Sequence, residues 1–321
     1  MTTSDVTIGI DIGGTNTAFG FVERSGTCVA ESSIETRAQD PPEQLIERLH
    51  AGIMSAHRAL ASPPAIRGIG LGAPNANYYR GTVEYPPNLK WKGITDVVKL
   101  FRKYMDVPVA ITNDANAAAL GEGMFGAARG MKDYIVITLG TGVGSGIVAG
   151  GQLVYGADGF AGELGHTIVD PDGRECGCGR RGCLETYASA GGICRTAFEI
   201  LAESREESPL RHVAFDELTA KKLADAALKG DPIARAAFDR TARILGLKLA
   251  DAVAHTSPEA IILFGGLAHA GDLIIGPTKH YMEEYMLNIF KNKVKVLPSG
   301  LTEGNTAVLG ASALIWKELE R

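Results

Sequence analysis

The sequence predicts a layered α/β fold made of two similar halves. Three observations carry this expectation. Apolar runs of strand length alternate with stretches of helical period along nearly the whole chain. A strand–glycine turn–strand unit occurs at residues 7–23 and again at 134–149, an internal duplication at the level of motif. The length of 321 residues favours about two domains.

Each element has a local reason. Thr7–Asp11 and Thr17–Glu23 read as strands around Gly13-Gly14, and Thr27–Thr36 as a third. Pro41–Ala61 reads as an amphipathic helix, because Leu45, Ile46, Leu49, Ile53 and Ala56 share one face. Ile66–Leu71 is a strand ending in Gly-Ala-Pro, Ile94–Tyr104 a helix, Val107–Thr112 a strand and Ala115–Phe125 an Ala-rich helix. Tyr134–Leu139 and Gly144–Ala149 are strands about Gly140-Thr-Gly. Residues 156–186 form a loop-rich insertion. From Leu184 the chain turns helical, through Ala202, Leu218–Lys229 and Pro232–His255. Ala260–Phe264 is a strand closed by Gly265-Gly266, followed by a helix, a strand at Val294–Val296 and a helix over Thr306–Leu319.

Composition narrows the class. The chain is 45% hydrophobic and 21% charged, with a formal net charge of -5 and a pI near 5.9. No long basic block appears, so neither nucleic acid nor an anionic membrane is an expected partner. The N-terminus lacks a basic region followed by an apolar one, which points to the cytoplasm. Tyr134 to Ala157 carries no charge and has the length of a membrane span. Its many glycines and interleaved Thr, Ser and Gln read instead as two strands and a turn.

Five motifs carry chemistry. Asp11-Ile-Gly13-Gly14-Thr15-Asn16 ends a strand in a carboxylate and then offers backbone N–H groups that a phosphate can approach. Thr15 adds a hydroxyl, and Asp11 suits Mg²⁺ held through water. Leu139-Gly140-Thr141-Gly142 repeats the design, and two such turns suit a polyphosphate. Gly144-Ser-Gly-Ile-Val-Ala imitates the dinucleotide fingerprint, but Gly150-Gly151 follows where a helix is required. Asn113-Asp114 lies between a strand and a helix. There a carboxylate can accept a proton from a substrate hydroxyl, although both residue types also serve simply as helix caps.

The fourth motif is His166 with Cys176, Cys178 and Cys183, a donor set for a tetrahedral structural zinc. Its thiols are three of the five cysteines in a chain without a secretion signal, which argues against a disulfide framework. Glu163 and Glu185 flank the cluster and suit hydrogen bonds from vicinal sugar hydroxyls, though solvated surface carboxylates would look the same. The fifth motif, Gly265-Gly266 after a strand, lets a ring such as adenine lie against backbone.

These residues, in this order and spacing, resemble the ROK family (repressors, open reading frames and kinases) of the actin-like ATPase superfamily. The likeness covers nearly the whole chain, and the Cys176–Glu185 run is its most specific part. It implies a two-domain actin-like (ribonuclease H-like) ATPase fold with an inter-domain cleft and a zinc-bound loop. The domains would be residues 1–112 with 306–321, and 113–305. It implies ATP-dependent phosphorylation of a hexose, with Asp114 as the base for the 6-hydroxyl. Asn88, Asn113, Glu163, His166 and Glu185 would bind the sugar. Asp11, Gly13, Gly14, Thr15, Asn16, Gly140, Thr141, Gly142, Gly265 and Gly266 would bind nucleotide, with Mg²⁺ as cofactor. Zinc would sit on His166, Cys176, Cys178 and Cys183. The family's opening motif often carries Lys where this chain has Asn16. Family kinases are often dimers, and a homodimer is expected.

Glucose is the expected sugar, with N-acetylmannosamine as an alternative, because kinases for both share Glu163, His166 and Glu185; fructose, mannose and allose stay open as well. A catalytically silent sugar sensor or transcription regulator is the rival class. Family repressors carry an added N-terminal DNA-binding domain, for which the phosphate motif at Asp11 leaves no room.

Overall fold

A computed structural model describes residues 5–301 and 305–321. The chain divides into two compact units. One comprises Met1–Gly130, Leu153–Ala161 and Gly300–Arg321; the other comprises Met131–Gln152 and Gly162–Ser299.

The first unit contains β1 (Val6–Ile12), β2 (Asn16–Glu23), β3 (Cys28–Glu35), β4 (Ile66–Gly72), β5 (Ala76–Asn77), β6 (Thr82–Glu84), β7 (Ile94–Asp96) and β8 (Val109–Thr112). The main sheet has the order β3-β2-β1-β4-β8, and β5-β6-β7 form a small separate sheet. β1 and β2 pair antiparallel around the Gly13-Gly14 turn, whereas β1, β4 and β8 run parallel. Helix α1 (Pro42–Ala59) buries Leu45, Ile46, Leu49 and Ile53 in the same core as Phe19 and Phe21. Each such side chain contributes about 1.5–3 kcal/mol relative to an exposed position.

The C-terminal helix, Thr306–Glu318, lies directly on β1 and β4. A Cβ at Gly9 would run into the backbone of Val308, and one at Gly70 into that of Ala311. Glycine is needed at both points because backbone meets backbone there. Helix α3 (Asp114–Met124) packs on the same helix, where Gly310 faces the Ala117 carbonyl.

One expected element divides in two. The stretch 94–104, read as a helix, begins as β7 and becomes helix α2 only over Val97–Phe101. β-branched Ile94 and Thr95 pair with β6, and Asp96 then caps the helix by accepting from Lys99 N–H at 2.8 Å.

The second unit repeats the plan. β9 (Tyr134–Leu139), β10 (Val143–Ala149), β11 (Gln152–Leu153, whose last residue is counted with the first unit), β12 (Ala260–Phe264) and β13 (Lys295–Pro298) form a sheet in the order β11-β10-β9-β12-β13. Again an antiparallel hairpin, β9–β10, adjoins a parallel pair, β12 and β13. The expected duplication is therefore one of topology as well as of turn sequence. Helices α4 (Glu185–Ala188), α5 (Ala190–Glu203), α6 (Ala220–Leu228), α7 (Pro232–Thr256) and α8 (Ile275–Tyr285) complete the unit. The longest, α7, starts at an Asp231 cap that accepts from Ala234 N–H at 2.8 Å. Among the described residues no helix is long and apolar enough to cross a membrane.

Candidate active site

In the first unit the parallel strands end in register, with Asp11 of β1 beside Gly72 of β4, and Gly72 beside Thr112 of β8. In open α/β sheets such carboxyl ends are where ligands gather. Asp114 follows two residues after Thr112, at the start of α3. A Cβ at Gly72 would lie 3.9 Å from Asp11 Oδ1 and 3.9 Å from Asp114 Cα, so the absence of a side chain at Gly72 leaves the two acids as neighbours. Desolvation, reinforced by the charge of Asp114, raises the Asp11 pKa to about 6. Asp114 has an exposed face, yet protein atoms crowd its other sides. Lost hydration raises its pKa too, against the hydrogen bond that it accepts from Ala115 N–H at 2.8 Å. Asn113 caps α3 by accepting from the same N–H at 2.9 Å.

The Gly13-Gly14 turn is braced by hydroxyls. Thr36 Oγ1 donates to the Gly13 carbonyl at 2.7 Å and lies 2.9 Å from Thr17 Oγ1. Gly13 N–H closes the turn on the Asn16 carbonyl at 3.1 Å, and Thr15 and Asn16 are exposed. Asn88 covers the turn, since a Cβ on Gly14 would meet its Cβ at 3.1 Å.

In the second unit the Gly140–Gly142 turn is closed by Gly140 N–H on the Gly142 carbonyl at 3.0 Å. Its outer braces differ from those of the first turn. Val143 N–H donates to Glu185 Oε2 at 3.0 Å, and Ala190 N–H donates to the Gly140 carbonyl at 2.8 Å. Gly265, with φ of +99°, packs against the Leu139 backbone, and Leu267 N–H donates to the Leu139 carbonyl at 3.0 Å. The two predicted nucleotide turns of this unit are thus adjacent. Gly266 faces open space.

His166, Cys176, Cys178 and Cys183 come together, with their ligand atoms all within 4.8 Å of one another. Cys178 and Cys183 sulfurs are 3.6 Å apart, and His166 Nδ1 is 3.7 Å from Cys176 Sγ. Thiolates on one tetrahedral zinc, with bonds of about 2.3 Å, lie about 3.7 Å apart, so the donor set fits that ion. Desolvation and hydrogen bonding to Cys178 push the Cys183 thiol up to about 12. At Cys178 desolvation is outweighed by the backbone and side chain of Arg180, and the thiol falls to about 6. Glu185 Oε1 lies 3.8 Å from Cys176 Sγ, which puts this carboxylate between the cluster and the glycine turn. Glu163 is exposed and precedes the single turn of 3₁₀ helix that carries His166.

The geometry therefore gathers Asp11, Gly13, Gly14, Thr15, Asn16, Asn88, Asn113 and Asp114 in one unit. Gly140, Thr141, Gly142, Glu163, His166, Glu185, Gly265, Gly266 and the three cysteines belong to the other. Sequence reasoning missed two supports. Gly72 gave no motif of its own. Arg174 lies in a polar loop and belongs to no motif, yet its side chain is only 5% exposed. It bonds Glu199, Thr196 and the carbonyls of Thr186 and Gly192, and lies over the Tyr187 ring at 4.4 Å.

The profile of the ROK family matches residues 7–318. The chain is 38% identical over 286 residues to the glucokinase of Halalkalibacterium halodurans, covering 87% of this chain and 86% of that one. A solved structure of a ROK family glucokinase from Streptomyces griseus, in complex with glucose and AMPPNP, gives a TM-score of 0.80 at 34% identity. That likeness covers 96% of this chain and 98% of the other. The xylose repressor of Caldicellulosiruptor bescii is 29% identical over 316 residues, which are 97% of this chain and 78% of the repressor.

Proposed function

Because the chain belongs to the ROK family, we propose that it is an ATP-dependent hexose kinase acting on glucose to give glucose 6-phosphate. The observation that carries the reading is the pair of crowded acids at Gly72, in a chain that also presents two glycine–threonine turns. A carboxylate with a raised pKa is a stronger base than an ordinary surface one. Asp114 accepts the proton of the sugar's 6-hydroxyl as that oxygen bonds to the γ-phosphorus. The bond from the γ-phosphorus to the β–γ bridging oxygen breaks, ADP leaves with that electron pair, and the proton stays on Asp114.

The transition state of phosphoryl transfer is loose, so positioning and neutralised charge do most of the work. The amides of Gly14, Thr15, Thr141 and Gly142 have no protein partner among the described residues, and in this reading they donate to phosphate oxygens. Asp11 is the residue suited to hold Mg²⁺, which when bound neutralises phosphate charge. Asn88, Asn113, Glu163, His166 and Glu185 orient the sugar through its hydroxyls. Zinc would be held by His166, Cys176, Cys178 and Cys183, and would cross-link a loop that has little core of its own.

The test is ADP release by zinc-replete protein with ATP–Mg²⁺ and a panel of glucose, mannose, fructose, N-acetylglucosamine and N-acetylmannosamine. Turnover highest on glucose is expected. Highest turnover on N-acetylmannosamine would keep the mechanism and move the substrate. No turnover on any sugar, with zinc bound, would favour the sugar-sensing regulator to which the repressor likeness points.

A further inference from the structure

Glu185 has been given one task so far, that of a sugar ligand, but its surroundings describe two. Its Oε2 accepts the Val143 N–H at 3.0 Å. The same oxygen lies so close over Gly142 that a Cβ there would fall 2.5 Å from it. Five residues on, just past the Ser189 cap, Ala190 N–H holds the Gly140 carbonyl at 2.8 Å. The short stretch 185–190 therefore grips the turn at both of its ends. Only Leu184 separates that stretch from Cys183, and Leu184 N–H donates to the Thr167 carbonyl at 2.9 Å, next to His166. The carboxylate also has lone pairs to spare, since an ionised Glu offers about four acceptor sites.

We propose that Glu185 is the positioning residue that sets the shape of the Gly140–Gly142 phosphate turn, in addition to facing the sugar. It would thereby make the binding of sugar and nucleotide interdependent. The inference rests on the kinase reading for the identity of both ligands. Its physical basis is that one carboxylate fixes the Val143 amide, and with it the direction of the neighbouring Thr141 and Gly142 amides. A sugar that immobilises this carboxylate spares the nucleotide part of the cost of ordering the turn. A second ligand entering an already ordered site binds more tightly.

The test separates the second task from the first by leaving the sugar out. Binding of AMPPNP–Mg²⁺ is measured calorimetrically, without sugar, for the wild type, Glu185→Asp and Glu185→Gln. Zinc-to-protein ratio and circular dichroism serve as folding controls. Aspartate is one methylene shorter and leaves the Val143 N–H unpaired, so its Kd should rise at least about fivefold, within the range of such couplings. Glutamine keeps an acceptor oxygen and should stay within about twofold of wild type while glucose binding weakens, because it retains that hydrogen bond. If aspartate binds AMPPNP as the wild type does, Glu185 is a sugar ligand only and the proposal is overturned.

Should Glu185→Asp lose its zinc, Gly142→Ala decides. It alters no metal ligand and no proposed sugar ligand, yet its methyl displaces Glu185 Oε2. Glucose affinity should fall at least about fivefold, again on the scale of a coupling free energy; unchanged affinity overturns the proposal. Wild-type protein that binds neither AMPPNP nor glucose would instead bring down the kinase reading, and this inference with it.

Discussion

At the end of β1 the Gly13–Asn16 turn is held by the Thr36 hydroxyl, whereas at the end of β9 the Gly140–Gly142 turn is held by the Glu185 carboxylate. Around the first turn the charge is local, since Asp11 belongs to the strand that enters it. Around the second turn the strand ends in Leu139, and the charge arrives from a residue that follows the cysteine cluster. Both turns close by a single amide–carbonyl hydrogen bond across the glycines. One topology, used twice, has thus been given two kinds of support. The first turn depends mainly on residues 11–36, and the second on long-range contacts with residues 185, 190 and 265–267.

That difference predicts unequal sensitivity. Removing zinc by chelation, or by Cys183→Ser, should loosen the second turn through Glu185. It should reduce kcat/KM by about 100-fold or more, and for the chelated protein zinc should restore activity, because structural zinc sites contribute folding energy outright. Intrinsic protease cleavage should then appear first within residues 163–190. Equal cleavage near residues 13–16 would break the comparison. Next in size, Thr141→Ala and Thr15→Ala each remove a hydroxyl proposed to reach phosphate. Each should lower kcat/KM for ATP by about 10-fold or more, as expected for a hydrogen bond to a charged group. Steady-state titration of ATP checks this, and an unaffected Thr15→Ala would confine phosphate binding to the second turn.

Asp11 sharpens the contrast through pH. Its folded-state pKa of about 6 lies above the ordinary value of 3.8, so the folded protein binds this proton more tightly than the unfolded chain. The stability that this contributes is fully present below about pH 4 and is lost as pH rises through 6. Asp11→Asn should therefore raise Tm by a few degrees at pH 8 and barely change it at pH 4, while activity falls. Equal Tm changes at the two pH values would contradict the raised pKa that desolvation, reinforced by the charge of Asp114, gives Asp11. The smallest effect is expected from Thr36→Val, which removes the brace at Gly13 and should cost about 1–2 kcal/mol in urea unfolding.

Much of this arrangement was legible in the sequence where the signal is local. The Gly13-Gly14 and Gly140–Gly142 turns announce themselves by glycine between apolar strands, and strand Ala260–Phe264 has the bounds read from its apolar run. The cysteine cluster was legible because its thiols are close in sequence. The split of 94–104 was not, because a helical apolar pattern over so short a stretch hides a capping Asp96. The tie between Glu185 and Val143 was beyond reach for a different reason. It joins residues far apart in the chain, and periodicity reports only which face a residue shares with near neighbours. Arg174 gave no signal on similar grounds: burial of a guanidinium is set by partners such as Glu199 and Thr196, which lie on another element.

The most direct measurement compares Asp114→Asn with the wild type for both turnover and glucose binding. Asparagine keeps the size and an oxygen that can accept the Ala115 N–H, but it cannot take the proton. The expected result is a fall in kcat of about 10²–10⁴, the usual worth of a general base, with glucose affinity changed by less than about threefold. Undiminished turnover would contradict the role of Asp114, and loss of glucose binding together with activity would make it a sugar-binding residue instead of the base.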